Sequence, residues 1–270
     1  MNNFTKRLLF GGIYVAIIYI ATWFNPLIYT TVFSIFMLLS IYEFQKMEKI
    51  KSIFPYLTAI SIVALIYLLN YHFFDTKFNK NSIIALFLLS LFIPFICALL
   101  SEKTNSISQL KSQFLIFVYL IIPFSLMQII PYINNGEYNN EIMLGIFILI
   151  WINDTFAYLV GRKFGKNKLF KRISPKKTIE GFIGGFISSL IGGYLLSGYF
   201  TTLPPIHWLA IAFVASAFGT IGDLVESMFK RKAEIKDSSN FIPGHGGFLD
   251  RLDSVIFATP FIFIYLILFT

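Results

Sequence analysis

The chain has 270 residues, of which 56% are hydrophobic and only 13% charged, with a mean hydropathy of +0.72 and a formal net charge of +8. A soluble domain carries about 25% charged residues, so this sequence cannot cover a water-facing surface and reads as an integral membrane protein. The single cysteine, Cys97, excludes a disulfide framework and a cysteine-based metal cluster, and three scattered histidines argue against a zinc site.

A spanning helix needs about 20 mostly apolar residues. Taken in chain order, such segments lie near 8–24, 27–43, 53–71, 82–100, 112–132, 142–160, 180–199, 206–227 and 254–269. Lys6-Arg7 before the first of them resembles a signal peptide, but no A-x-A-like cleavage site follows, so the segment reads as a span. The first two are separated only by Asn25-Pro26 and predict a tight helical hairpin. Basic loop residues favour the cytoplasmic side. If the N-terminus is cytoplasmic, Lys77 and Lys80 alone among the 22 lysines and arginines fall in outside loops. The expectation is an all-α polytopic membrane protein of about nine helices, N-terminus cytoplasmic and C-terminus outside.

The sequence divides at about residue 140. Residues 1–140 hold five spans with few ionisable groups away from their ends and read as a transmembrane scaffold. Residues 141–270 hold four spans and two basic loops, 161–179 and 228–253, together with Asp154, Glu180, Asp223 and Glu226 at the membrane or its edge. Ionisable residues in spans are costly and point to function. Both loops would face anionic headgroups and anionic nucleotides, and neither shows the aromatic interleaving of a nucleic-acid platform.

Four constellations follow along the second half. Asn153-Asp154 sits in Trp151 to Tyr158 near Gly161-Arg162, closing the sixth span. Ser174-Pro175-Lys176-Lys177 predicts the start of the seventh helix, with proline in its first turn and two ammoniums beside the helix N-terminus, where anions bind. In Gly219 to Ser227, Asp223 and Ser227 share a helix face, and Gly219 and Gly222 permit close helix approach. The last is Ser227 to Asp253, with Lys230, Arg231, Lys236, the turn Pro243-Gly244-His245-Gly246-Gly247, and Asp250-Arg251-Leu252-Asp253. Oxygen ligands at Asp223 and Asp250 on two helices suit magnesium, which keeps waters and takes its remaining contacts from phosphates. His245 reads as a hydrogen-bond donor to a phosphate or nucleotide, with the glycines exposing backbone N–H groups to anionic oxygens.

The spacing S-x-F-K-R-x4-K-D-x-S-x2-I-P-x-H-G-G-F-x-D-R-L-D resembles the signature of the phosphatidate cytidylyltransferase family, and the motifs around Asn153-Asp154 and Lys176-Lys177 resemble further family motifs. The resemblance covers roughly residues 141–270. It departs at position 156, which is Phe where a small residue is common. It implies an integral enzyme of the inner membrane that makes CDP-diacylglycerol and pyrophosphate from CTP and phosphatidate at the cytoplasmic leaflet. It also implies Mg2+ held by Asp223 and Asp250, with a second cation such as K+. Asp223, Asp250, Asp253 and Arg251 are the expected catalytic residues. Asn153, Asp154, Lys176, Lys177, Ser227, Lys230, Arg231, Lys236 and His245 are the expected substrate contacts. A homodimer is compatible with this reading, and no nucleic-acid partner is expected. Two other functions fit parts of the pattern: a CTP-dependent polyprenol or phytol kinase, which would move the γ-phosphoryl group to an alcohol, and, more remotely, a transporter with Asp154 and Asp223 as ion sites.

Overall fold

The computed structural model describes residues 3–70, 106–134, 136–242, 244 and 246–270. Its helices are α1 (Asn3–Phe24), α2 (Pro26–Met47), α3 (Phe54–Asn70), α4 (Ser106–Ile116), α5 (Ile122–Ile129), α6 (Glu141–Phe164), α7 (Ile179–Leu196), α8 (Pro205–Lys232) and α9 (Leu249–Phe269). A π-helical turn, Phe117–Ile121, joins α4 to α5, so Lys111–Tyr132 forms one apolar rod. Among the described residues, six helical segments are long and apolar enough to cross a membrane, and Leu9–Phe24 and Phe54–Tyr67 are shorter apolar helices. Eight of the nine expected segments therefore fall on helices; the fourth, 82–100, lies outside the described residues.

The α1–α2 turn forms as its residues dictate. Asn25 Oδ1 accepts a hydrogen bond from Leu27 N at 2.7 Å, and Pro26 occupies the first turn of α2. A large aromatic core, including Phe33, Phe44, Phe117, Phe124, Phe147 and Trp208, is fully buried where α2, the α4–α5 rod, α6 and α8 meet.

Helix α7 shows how lipid as solvent reverses the usual pattern. Its isoleucines, Ile183, Ile187 and Ile191, are exposed, while Gly181, Gly185, Gly192 and Gly193 are buried. Between helices the hydrophobic effect is weak in a bilayer, and small residues drive packing by allowing backbones to approach. A Cβ on Gly181 would stand 2.6 Å from Ala157 O, and one on Gly185 2.6 Å from Asn153 O. Phe156 itself is exposed, so the residue that meets α7 is Ala157, and the bulk at 156 leaves this packing intact.

The structure corrects the expected start of the seventh helix. Ser174–Thr178 is not helical: it is a strand, β2, paired antiparallel with β1 (Lys168–Phe170). The helix begins at Ile179, because Thr178 is its N-cap and accepts from Gly181 N at 3.1 Å. Pro175 is tolerated in so short a two-stranded ribbon because every strand in it is an edge. Glu180 secures the hairpin by accepting from Lys166 N at 3.1 Å and Asn167 Nδ2 at 2.9 Å. Lys176 and Lys177 therefore stand on an extended strand, not at a helix N-terminus.

Candidate functional site

The C-terminal ends of α6 and α8 and the N-terminal ends of α7 and α9 surround a cavity of about 1040 Å3. Its polar wall holds Asn153, Asp154, Lys176, Lys177, Asp223, Lys230, Asp250, Arg251 and Asp253. Phe10, Tyr14, Val15, Trp151 and Phe182 supply an apolar side, partly from α1. One pocket thus offers charge to a polyanion and hydrocarbon to an acyl chain.

Each polar group is set by its element. Asn153 is buried and accepts from Ser216 Oγ at 2.5 Å across α6 and α8. Asn153 Nδ2 then donates to Asp154 Oδ1 at 3.3 Å. On α8, Ser227 Oγ donates to Asp223 Oδ1 at 3.3 Å, one turn along the same face. Of the two glycines of α8, Gly219 would make only ordinary contact through a Cβ, 3.5 Å from Ser254 Cβ, whereas Gly222 meets α9 closely, since a Cβ on it would lie 2.6 Å from Asp253 O. That contact brings Asp223 and Asp253 to one wall from adjacent helices.

Two lysines neutralise the carboxylates, in different settings. Lys177 Nζ lies 2.6 Å from Asp223 Oδ2, with the two side chains 27% and 33% exposed. A pair this open is worth about 0–1 kcal/mol, so an incoming anion can share the ammonium. Lys230 Nζ sits 2.5 Å from Glu226 Oε2 and 2.6 Å from Asp250 Oδ1, between carboxylates only 0% and 5% exposed. Removing one partner of a buried pair costs about 3–5 kcal/mol, so Lys230 meets a substrate only while keeping these contacts. Asp250 Oδ2 accepts from Ser238 N at 2.9 Å and Gly247 N at 2.7 Å. The backbone N–H expected to face a ligand at Gly247 is therefore turned to the protein's own aspartate.

Other expected contacts lie apart from the cavity. Arg231 Nε and Nη1 donate to Ile173 O and Ile235 O, each at 3.4 Å, tying the hairpin to the end of α8. Lys236 is exposed, and Ser227 is buried behind Asp223. His245 lies outside the described residues. Arg162 and Asp237, both within the sequence motifs, are also on the cavity wall, while the motifs did not single out Thr220 on that wall, Tyr14, whose hydroxyl donates to Arg251 O at 3.1 Å, or the fully buried Glu43 of α2. Glu43 stands in an apolar run, Ile41-Tyr42-Glu43-Phe44, and that isolated acid was the available signal.

The described lining carboxylates, Asp154, Asp223, Asp237, Asp250 and Asp253, offer oxygen alone, which suits a hard divalent cation in kind. Among the described residues no three acidic, histidine or cysteine side chains converge as a cage. A cation here would take protein oxygens from one or two carboxylates and the rest from water and phosphate, as magnesium does.

Fold and site together define a polytopic helical membrane protein with a polyanion-sized, carboxylate-lined cavity at one end of its helices. The chain belongs to the cytidylyltransferase family, whose model matches residues 5–269. It is similar to the phosphatidate cytidylyltransferase of Bacillus subtilis (strain 168), 34% identical over 234 residues, which is 86% of each chain. It is also similar to that of Staphylococcus aureus (strain COL), 49% identical over 127 residues, or 46% of this chain and 48% of the relative. The phosphatidate cytidylyltransferase of Staphylococcus haemolyticus (strain JCSC1435) matches equally, at 49% over 127 residues.

Proposed function

We propose that this chain transfers the cytidylyl group of CTP to phosphatidate in phospholipid biosynthesis. A phosphatidate phosphate oxygen forms a bond to the α-phosphorus of CTP, the bond from that phosphorus to the α–β bridging oxygen breaks, and pyrophosphate leaves with both its phosphates. The phosphate has a second pKa near 6, so the nucleophile arrives mostly ionised and needs no strong base. The carrying observation is the cavity itself, where cationic and acidic side chains face an apolar side within one volume of about 1040 Å3.

Catalysis of this kind is positioning and charge neutralisation. Lys176 and Lys177, on the hairpin strand, receive the phosphates; Lys177 is able to do so because its contact to Asp223 is open. Asp223 and Asp250 are the residues that would hold Mg2+, which when bound supplies positive charge against the triphosphate. Arg251 follows Asp250 on the cavity wall and balances the same charge, while Asp253 shapes the wall beside it. Asn153 and Asp154 contact the nucleotide or lipid head from the opposite helix. The apolar side takes the beginning of the acyl chains.

In this reading residues 1–140 are mainly scaffold and residues 141–270 carry the chemistry. Nine spans, with both basic loops at the cytoplasmic leaflet, are supported by the distribution of lysine and arginine. The test is pyrophosphate release by purified protein. Release that requires CTP and phosphatidate together supports the reading; release of CDP with a lipid alcohol would replace it with the kinase.

A further inference from the structure

Glu43 belongs to α2, in the half of the sequence without assigned chemistry, and its side chain is fully buried. Its carboxylate faces four donors. Oε1 accepts from Ser239 Oγ at 2.5 Å and Phe248 N at 3.0 Å, and Oε2 accepts from Leu249 N at 2.8 Å. Ser238 Oγ lies 3.0 Å from both Glu43 Oε2 and Asp250 Oδ2, so one hydroxyl links the two acids and donates to either in turn. Phe248 and Leu249 open α9, where N–H groups lack intrahelical partners and the helix dipole favours an anion. The next residue is Asp250.

The glycines of the preceding turn fit this arrangement. A Cβ on Gly247 would stand 2.5 Å from both Glu43 oxygens, and one on Gly246 2.5 Å from Asp250 Oδ2. The chain passes between the two acids only because neither residue has a side chain.

We propose that Glu43 is a positioning residue for the transfer reaction: it fastens segment 238–239 and the start of α9 to α2, and so fixes the Asp250 carboxylate at the cavity. The proposal rests on the cytidylyl-transfer reading for what Asp250 does. Folding has a separate anchor at this point, since Phe36 and Phe248 pack with ring centroids 5.2 Å apart. Glu43→Gln therefore keeps shape and packing but turns one acceptor into a donor that faces donors.

The test uses the full-length purified protein. With Glu43→Gln, kcat falls about 10- to 100-fold, the effect of one or two hydrogen bonds to a charged group, while KM for CTP and for phosphatidate each stay within about twofold. Ser238→Ala lowers kcat less, and the double variant loses no more than Glu43→Gln alone, because both act through one link. Hydrogen exchange in peptides covering 238–250 becomes about tenfold faster in Glu43→Gln, with α6 and α7 unchanged. Unchanged kcat, losses that multiply, or unchanged exchange at 238–250 would each overturn the proposal. If Glu43→Gln does not accumulate, Ser238→Ala and Ser239→Ala decide: wild-type kcat in both overturns it. A wild-type enzyme that released no pyrophosphate would count against the reaction instead, and the exchange measurement would still decide whether Glu43 holds the loop.

Discussion

At the scale of single residues, the two ammonium contacts separate exchangeable charge from fixed charge. Lys177 meets Asp223 in a pair about a third open, whereas Lys230 is locked between Glu226 and Asp250. Lys177→Gln should raise KM for CTP or phosphatidate with a smaller change in kcat, because binding used equally in ground and transition states appears in KM. Separate titration of each substrate checks this; unchanged KM for both would leave Lys177 as one more basic loop residue that favours the cytoplasmic side. Asp223→Asn and Asp250→Asn should each abolish turnover in inserted protein, since loss of charge stabilisation in the transition state is worth several kcal/mol. Asp250→Asn alone should also lower the thermal midpoint, because it takes a buried partner from Lys230. Wild-type pyrophosphate release from either variant would remove that residue from the site. Asp223 and Asp250 are legible in the sequence because a carboxylate at a span end needs a partner. Glu43 is legible only as an isolated acid in an apolar run; what it does is not, because the N–H groups that satisfy it stand 205 and 206 positions away.

At the scale of elements, helix placement follows from runs of apolar residues, but the hairpin does not. Ser174-Pro175 followed by lysines satisfies the rules for a helix start, and nothing in Lys168 to Thr178 alternates strongly enough to announce strands. What decides the outcome is nonlocal to the motif: Thr178 caps α7, and Glu180 gathers the N–H groups of Lys166 and Asn167. The α8–α9 contact was legible at Gly222, where α9 comes close, whereas Gly219 leaves ordinary contact room for a Cβ, 3.5 Å from Ser254 Cβ. Gly222→Ala places a methyl 2.6 Å from Asp253 O and from Phe257 Cβ, in backbone that cannot swing away. Overpacking of this kind costs about 1–3 kcal/mol, so the thermal midpoint of the purified variant should fall and activity should fall with it, because Asp223 and Asp253 are carried by the two helices forced apart. A midpoint equal to wild type would show that the helices have room to spare.

At the scale of the whole molecule, a site at one end of α6, α7, α8 and α9 suits substrates arriving from two phases, CTP from water and phosphatidate sideways from the leaflet. Nine spans predict that Lys168 and Lys236 face the cytoplasm while Glu137 and Thr270 face the other side. Single cysteines at these positions in a Cys97→Ser background, exposed to an impermeant thiol reagent on intact cells, should label at 137 and 270 alone. Labelling at 168 or 236 without permeabilisation would contradict that topology. The central claim, transfer of the cytidylyl group, is tested most directly by following isotope from CTP into lipid. With phosphatidate and purified protein, label in the α-phosphate should enter the lipid fraction and label in the γ-phosphate should leave as pyrophosphate. Label from the γ-phosphate in lipid, with CDP left behind, would contradict the account.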